Sequence, residues 1–431
     1  MKYISIQEAI KKGKGQISIR GWVYRERKQK QMAFLIIRDS SNIIQCVVKK
    51  DKVKQKQWTD VNELLIESSV KLTGTIKPDK RAPTGYEIQV SDLEVVDFAE
   101  VFPISKDQSP EHLLDNRHLW VRSRKQTAIL KIRSTIFGAI HEYFRKKQFY
   151  EHQSPNFTPN ACEGGSTLFK VNYFNQDIYL TQSWQLYAEA VVFALEKIYC
   201  IAPSFRAEKS KTSRHLTEYW HAEVEQTWIT LDELLDMAEG LIKHIVQTVL
   251  KENKQELKIL GRDIKKLEPT LKKRFPRITY TQALELLNQK KKIKVKWGKD
   301  LRTIEEEKIV ELYDVPIFVT HYPKKIKAFY MLEDKKDPKV VECFDCLAPE
   351  ANGEIIGGSS REVHSDKLIQ RLKDEGEDIA NYDWYLDLRK YGSVPHAGFG
   401  MGVERIIKWV CGLDNIKDAI AFPRTMLRCR P

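Results

Sequence analysis

Residues 204–226, SFRAEKSKTSRHLTEYWHAEVEQ, constrain this chain more than any other stretch. They read as two strands joined by a basic loop. In the first, period-two alternation puts Arg206 and Glu208 on one face. In the second, Tyr219, His221, Glu223 and Glu225 share one face, and Trp220, Ala222 and Val224 share the other. The loop carries Lys209, Lys211, Arg214 and His215. A strand-borne arginine, a basic loop and a facing row of carboxylates suit a polyanion and its metal. Arginine grips phosphate or carboxylate with two parallel N–H donors, and carboxylate oxygens hold Mg²⁺. A charged hairpin on a solvated face is the alternative reading of the same residues.

Composition narrows the class. A chain of 431 residues predicts two or three domains. Apolar residues at 42% with charged residues at 30% predict a soluble globular protein. The formal charge is +13 and unevenly placed: residues 1–56 hold 15 Lys/Arg against four acids, a net of +11. A polyanionic partner for the first segment is one reading, and surface lysines for solubility the other. Seven scattered cysteines point to a reducing compartment with no disulfide framework. Cys343 and Cys346 have no second pair at zinc spacing, so they read as packed strand residues. The N-terminus is too poor in apolar residues for a signal peptide, and no run of ~18 apolar residues occurs, so a cytoplasmic protein without a membrane span is expected.

Residues 16–97 alternate in the strand manner, with Asp79 to Gly85 a turn and Thr59 to Ile66 a candidate helix. Five short strands and one helix predict an oligonucleotide-binding (OB-fold) barrel, which stacks bases on aromatics in a basic groove. Phe34 and Gln45 are placed to stack on and hydrogen-bond an unpaired base, although a strand Phe is more often plain core. Arg20, Arg25 and Lys28 are candidate contacts to phosphate or a neighbouring base. Two prolines and scattered polar residues make 99–125 a linker. A long helix follows from Arg124 to Lys147, its Ile129, Ile132, Ile136, Phe137, Ile140 and Phe144 at helical spacing. LDELLDMAEGLIKHIVQTVLKEN is an amphipathic core helix, and Thr279 or Thr281 caps the helix in ITYTQALELLNQ. KKKIKVKWGKD reads as a solvated hairpin, DVPIFVTHYPKKIKAFYM as paired strands, and Gly357–Gly358 as either a close-approach segment or a tight turn. Alternating Gly398, Gly400 and Gly402 leave one strand face bare, so a flat base or backbone can lie there.

FRAE, a basic loop with RHL, and then EYWHAEVE resemble the second signature motif of class II aminoacyl-tRNA synthetases, in the aspartate/asparagine subgroup. LLDNRHLWVR resembles the subgroup's hinge, the helix with Pro155 its first motif, and GFGMGVER its third. The resemblance implies an α+β chain in three parts: an OB-fold anticodon-binding domain over 1–98, a hinge over 99–125, and a class II catalytic domain over 126–431 with antiparallel sheet flanked by helices. It implies ATP and Mg²⁺, a tRNA partner, and a homodimer built on the first motif. Arg206 would meet the α-phosphate and substrate carboxylate, and Arg405 the γ-phosphate. Glu208 and Tyr219 would hold adenine, Arg214 and His215 the outer phosphates, and Gly402 would line the nucleotide site. Glu354 would carry Mg²⁺, with Asp345 a structural or substrate-side acid. Glu163, Gln185, Arg361 and His396 would surround the amino acid, although an ordinary core or loop histidine is the commoner reading of His396, with Gln182 and Tyr187 near the same strand-to-helix transition. Phe34 and Gln45 would read the middle anticodon base.

One position separates the subgroup's substrates. The aspartate enzymes carry Lys three residues beyond the equivalent of Gln185, pairing the substrate side-chain carboxylate, and here that residue is Ala188. A site for a neutral amide would not leave a buried cation unpaired. LAPEANGEIIGGSSRE and Thr425 also fit asparagine better, so asparagine and tRNA-Asn are the expected substrates. The rivals are an aspartate-activating synthetase, which Ala188 and Thr425 disfavour, and a synthetase-derived asparagine synthetase, which the barrel disfavours. An RNA-binding paralogue is the non-enzyme reading, disfavoured by intact Arg206, Glu208, Glu354 and Arg405.

Overall fold

Alternation in the N-terminal strands closes on itself. The computed structural model describes residues 2–105, 108–162, 167–210 and 212–431, in two compact units, Met1–Trp120 and Val121–Pro431. In the first unit, β1 (Gly15–Lys28), β2 (Met32–Arg38), β3 (Ile43–Lys49), β4 (Ser69–Pro78) and β5 (Tyr86–Asp97) form a closed barrel in the order β1-β2-β3-β5-β4. Their inward residues, among them Ile19, Leu35, Ile37, Cys46 and Leu72, make one core with Trp58 and Val61 of helix α2 (Gln55–Glu63). The Asp79–Gly85 turn closes with Asp79 N–H donating to Gly85 O. An unforeseen helix α1 (Ile6–Lys12) precedes β1, started by a Ser5–Glu8 capping box and buried through Ile6 and Ala9.

The second unit is built on an eight-stranded sheet. Its strands are β6 (Tyr150–Glu151), β10 (Lys197–Phe205), β11 (Glu218–Thr227), β12 (Arg277–Thr279), β13 (Ile317–Thr320), β14 (Cys343–Ala348), β15 (Gly353–Ser360) and β16 (His396–Gly402), in the order β12-β13-β14-β15-β16-β11-β10-β6. The central pairs, β13 to β14 through β11 to β10, are all antiparallel. A separate small sheet holds β7 (Phe157–Thr158), β8 (Phe169–Tyr173) and β9 (Gln176–Leu180). Two long helices, Arg124–Lys146 and Leu231–Glu252, bury their apolar stripes with Ala222, Val224, Phe399 and Met401 of the sheet in a common core. That leaves the opposite sheet face for Tyr219, His221, Glu223 and Glu225.

Several local readings are corrected. The strand before the basic loop ends at Phe205, so Arg206 and Glu208 lie beyond it; Arg206 N–H still donates to Thr217 O at 2.9 Å. Of the 290–300 segment, Lys290 and Lys291 end the preceding helix and 292–300 is irregular around a Lys296–Lys299 turn rather than a hairpin. Only Ile317–Thr320 of the following stretch joins the sheet, and Lys324–Ile326 is a 3₁₀ turn. Gly357 and Gly358 sit inside β15, not in a turn. Residues 99–125 contain two short helices, Pro110–Asp115 and Arg117–Trp120. Thr279, not Thr281, caps the Tyr280–Lys291 helix. Cys343 and Cys346 are buried strand residues, and all seven cysteines are free.

Candidate active site

The face of β11 turned away from the two long helices meets three different neighbours in succession. Glu225 accepts from Arg361 Nε at 3.0 Å and from its terminal nitrogen at 2.8 Å, while Arg361 also donates to Ser359 Oγ at 2.9 Å. Both side chains are almost wholly buried. Burial pushes the Glu225 carboxyl up, and Arg361 opposes that rise. Glu223 accepts from Ser183 Oγ and from Trp184 N–H at 2.9 Å, so it anchors the start of the Gln185–Leu195 helix. His221 lies over Gly400: a Cβ there would sit 2.4 Å from His221 Nε2, so a side chain at 400 would displace the ring. The bare glycine face is therefore already filled at Gly400 by His221 and at Gly398 by Glu225. Gly402 alone leaves ordinary contact distance, to Arg405.

At the Tyr219 end, the structure gathers the expected nucleotide residues into one pocket: Arg206, Glu208, Arg214, His215, Tyr219, Glu354, Gly402 and Arg405. The Arg206 guanidinium lies 5.5 Å from the Tyr219 ring centre. Arg405 donates to Glu354 Oε2 at 3.0 Å, and Arg214 pairs with Glu306 at 3.4 Å. His215 Nε2 lies 3.5 Å from Glu208. Burial pushes the Glu354 carboxyl up, but Arg405, Lys327 and Arg206 outweigh it and hold it well below the usual range. Glu306 has the opposite balance: burial and the nearby Glu354 raise it to about 7, against Arg214.

A cleft of about 550 Å³ adjoins this pocket, lined by Gln185, Glu225, Asp345, Gly357 and Arg361 among others. Arg206, His221, Glu354 and Gly400 line both spaces. Arg206 thus stands at the junction of the two spaces. Asp345 is held by Lys327 Nζ at 2.8 and 3.1 Å.

Not every expected residue reaches the cleft. His396 is only 1% exposed and contacts the cleft through other residues, its ring nitrogens facing Val394 O at 2.8 Å and Glu189 at 3.1 Å. It is a supporting residue rather than a lining one, because β16 starts there and turns it inward. Ala188 packs with Trp184, Val192, Ile198 and Cys200 and does not line the cleft. Glu163 and Lys211 lie outside the described residues. Gln182 links the chain on both sides of 163–166, accepting from Cys162 N–H at 3.1 Å and donating to Thr167 at 2.7 Å. Tyr187 stacks on Trp384, centroids 4.8 Å apart. Sequence reading missed Glu306, Lys327 and Glu189. Glu306 sits in TIEEEKIV, where nothing distinguishes it from Glu305 or Glu307 before the helix is placed.

On the barrel, Phe34 lies outside the core, beside Arg27 of β1 and Val47 of β3. Gln45 donates to Glu87 at 3.0 Å. Arg25 is exposed opposite Ile36. Arg20 instead faces Lys71 across the β1–β4 edge, 5.9 Å from the Tyr3 ring centre. Lys28 is turned into its own fold, donating to Asn62 O at 3.0 Å and to Leu64 O at the end of α2. The cause is a register shift between Val23 and Arg25, which reverses the parity of every later residue in β1. Arg27, not Lys28, therefore shares the Phe34 face.

Comparison with known proteins agrees with this geometry. Residues 109–426 match the family described as tRNA synthetases class II (D, K and N), and residues 17–96 match the OB-fold nucleic acid binding domain. The asparagine–tRNA ligase of Thermoplasma acidophilum is 50% identical over 96% of each chain. The crystal structure of the Pyrococcus horikoshii asparaginyl-tRNA synthetase complexed with asparaginyl-adenylate has a TM-score of 0.96 at 46% identity, covering both chains fully. The aspartyl tRNA synthetase of Entamoeba histolytica has a TM-score of 0.86 at 27% identity, over 100% of this chain and 93% of its own.

Proposed function

The chain belongs to the class II tRNA synthetases of the aspartate, lysine and asparagine group, and from that membership we propose the following residue-level account of its reaction. The protein activates asparagine with ATP to asparaginyl-adenylate and transfers the asparaginyl group to tRNA-Asn. The observation that carries the substrate is the buried Glu225–Arg361 pair at the end of the cleft. A carboxamide offers a carbonyl to Arg361 and an N–H donor to Glu225. An aspartate carboxylate offers only acceptors, one of which would face the Glu225 carboxylate, and like charges held together in a buried site are strongly disfavoured.

In the first step the substrate carboxylate attacks the ATP α-phosphorus in line and pyrophosphate leaves. That step needs no general base, because a carboxylate is already a nucleophile. Arg206, at the junction of the two spaces, neutralises the carboxylate and the α-phosphate as they approach, and Arg405 exchanges Glu354 for the outer phosphates. Tyr219 stacks on adenine, Glu208 accepts from its amino group, and Arg214 and His215 meet the outer phosphates. In the second step the terminal ribose hydroxyl of the tRNA attacks the adenylate carbonyl and AMP leaves.

Glu354 suits Mg²⁺. It is held ionised and lines both spaces. Among the described residues no group of three or more His, Cys, Asp or Glu forms a ready-made metal cage. When bound, the ion supplies neutralisation of phosphate charge.

We assign anticodon reading to Phe34 and Gln45, with Arg25 and Arg27 beside them. A homodimer contact through the Arg124–Lys146 helix and the segment after it is supported by the exposed Tyr150 and Phe157. No helix among the described residues is long and apolar enough to cross a membrane; free cysteines support a cytoplasmic setting. The deciding experiment is ATP–pyrophosphate exchange with asparagine, aspartate or neither, followed by charging of a tRNA-Asn transcript. Exchange with asparagine alone, plus charging, is the expected result. Exchange with aspartate alone would overturn the role given to Glu225 and Arg361.

A further inference from the structure

One buried carboxylate outside the reacting groups accounts for the orientation of a residue inside the cleft. Glu189 lies one helical turn after Gln185, and its side chain is fully buried, as are those of Arg389 and His396. Glu189 Oε2 accepts from Arg389 at 2.5 Å, from Tyr385 Oη at 2.8 Å and from His396 Nε2 at 3.1 Å. Its other oxygen, Oε1, accepts from Gln185 Nε2 at 3.0 Å. Burial pushes the Glu189 carboxyl up, but Arg389 and His396 outweigh it, so the group stays ionised. An ionised carboxylate only accepts hydrogen bonds. The Gln185 amide must therefore turn its NH₂ to Glu189, which leaves Oε1 as the amide atom on the cleft side. Gln185 lines the cleft, and the cluster behind it has no room for the reverse orientation without two acceptors facing each other.

An α-amino acid brings three polar groups to such a cleft. Arg206 suits the carboxylate and the Glu225–Arg361 pair suits the side-chain amide. The ammonium needs an acceptor, and the Gln185 amide oxygen supplies one on the cleft side. We propose that Glu189 is a positioning residue for amino-acid binding: it locks the Gln185 amide with its oxygen toward the cleft, where that oxygen accepts from the substrate's α-ammonium group. This rests on the asparagine-activating reading above, and it adds a residue that never touches substrate.

The test compares asparagine with succinamate, which is asparagine without its α-amino group. Dissociation constants for both, and for ATP, are measured by calorimetry on the full chain. For E189Q the expected result is asparagine binding weakened tenfold or more, with succinamate and ATP each within twofold of wild type. A merely structural role would weaken all three together, and that outcome overturns the proposal. Unchanged asparagine binding overturns it as well. If E189Q fails to fold because Arg389 loses its partner, E189Q/R389M removes the stranded cation and is read in the same way. A cycle with Q185L adds the mechanism: E189Q/Q185L should bind asparagine no more weakly than Q185L alone, and independent, multiplying losses would overturn action through Gln185. Wild-type protein that binds succinamate and asparagine equally well would refute the ammonium contact while leaving asparagine activation standing. Wild-type protein that binds neither would remove the activation reading itself, and the proposal with it.

Discussion

The catalytic unit and the outer face of the barrel both carry arginines, yet they hold them differently. In the catalytic unit, Arg361 in the cleft, Arg389 behind it and Arg405 in the adjoining pocket are each bound to a carboxylate, and the first two are buried. On the barrel, Arg25 and Arg27 are exposed on a strand whose core lies behind them. A buried, paired charge has little freedom to adjust, so it discriminates by geometry and fails abruptly when its partner is removed. An exposed cation is screened and adaptable; it contributes affinity for a phosphate backbone with little selectivity. On the proposed reading, the same residue type would serve recognition of one small molecule in the cleft and of a polymer on the barrel.

The largest expected effect tests the buried side of this contrast. Arg361→Ala strands the Glu225 carboxylate and should cost about 3–5 kcal/mol of stability, with asparagine-dependent exchange reduced beyond about a hundredfold. Thermal unfolding and exchange assays check both. A loss of activity with unchanged stability would mean that the pair is less buried in solution than its geometry indicates.

Glu306 comes next and gives a pH signature. Its folded carboxyl is raised from 4.5 to about 7, so the folded protein binds that proton more tightly than the unfolded chain. Its favourable contribution is complete below the unfolded value and is lost as pH rises toward 7. Glu306→Gln removes that loss, so the variant should be more stable than wild type at pH 8 by roughly 1–3 kcal/mol, with little difference at pH 4.5. Denaturant unfolding at the two pH values would show it; an equal difference at both would refute the raised carboxyl.

The barrel predictions are smaller and leave activation untouched. Phe34→Ala should weaken tRNA binding by about 1–3 kcal/mol, the worth of a stacked base, while exchange without tRNA stays at the wild-type rate. Smallest is the Arg27 and Lys28 pair. Arg27→Ala should lower the salt dependence of tRNA binding by about one unit of slope. Lys28→Ala should leave that slope alone and destabilise the barrel by roughly 1 kcal/mol, because its ammonium caps carbonyls at the end of α2. If the two variants behave alike, the register shift in β1 does not sort them.

Much of the architecture was legible because it rests on local rules. Period-two alternation marked the barrel strands and β11, and the apolar spacing of the 124–146 helix marked its buried stripe. The grouping of one pocket was legible for another reason: Arg206, Glu208, Arg214, His215 and Tyr219 come from one contiguous stretch, so chain order brings them close. His396 was misplaced because a strand-end residue can turn either way, and only the packing of Phe193 and Glu189 around its ring decides. Lys28 was misplaced because a single extra residue in a strand reverses every later side chain.

The sequence alone therefore determined the strand and helix periods, the separation of a basic barrel from a mixed catalytic unit, and the run of charged groups from Arg206 to Tyr219 that meets in one pocket. Tertiary structure alone decided which charges meet. Glu225 finds Arg361 across 136 residues and Glu189 finds Arg389 across 200. No local period encodes such pairs: Glu225 meets Arg361 only where sheet order sets β16 between β11 and β15, and Glu189 meets Arg389 only where the Gln185–Leu195 helix packs beside the segment after Asp383–Asp387. Burial then converts that proximity into strong, specific interaction, which is why the substrate-defining end of the site is a product of the fold.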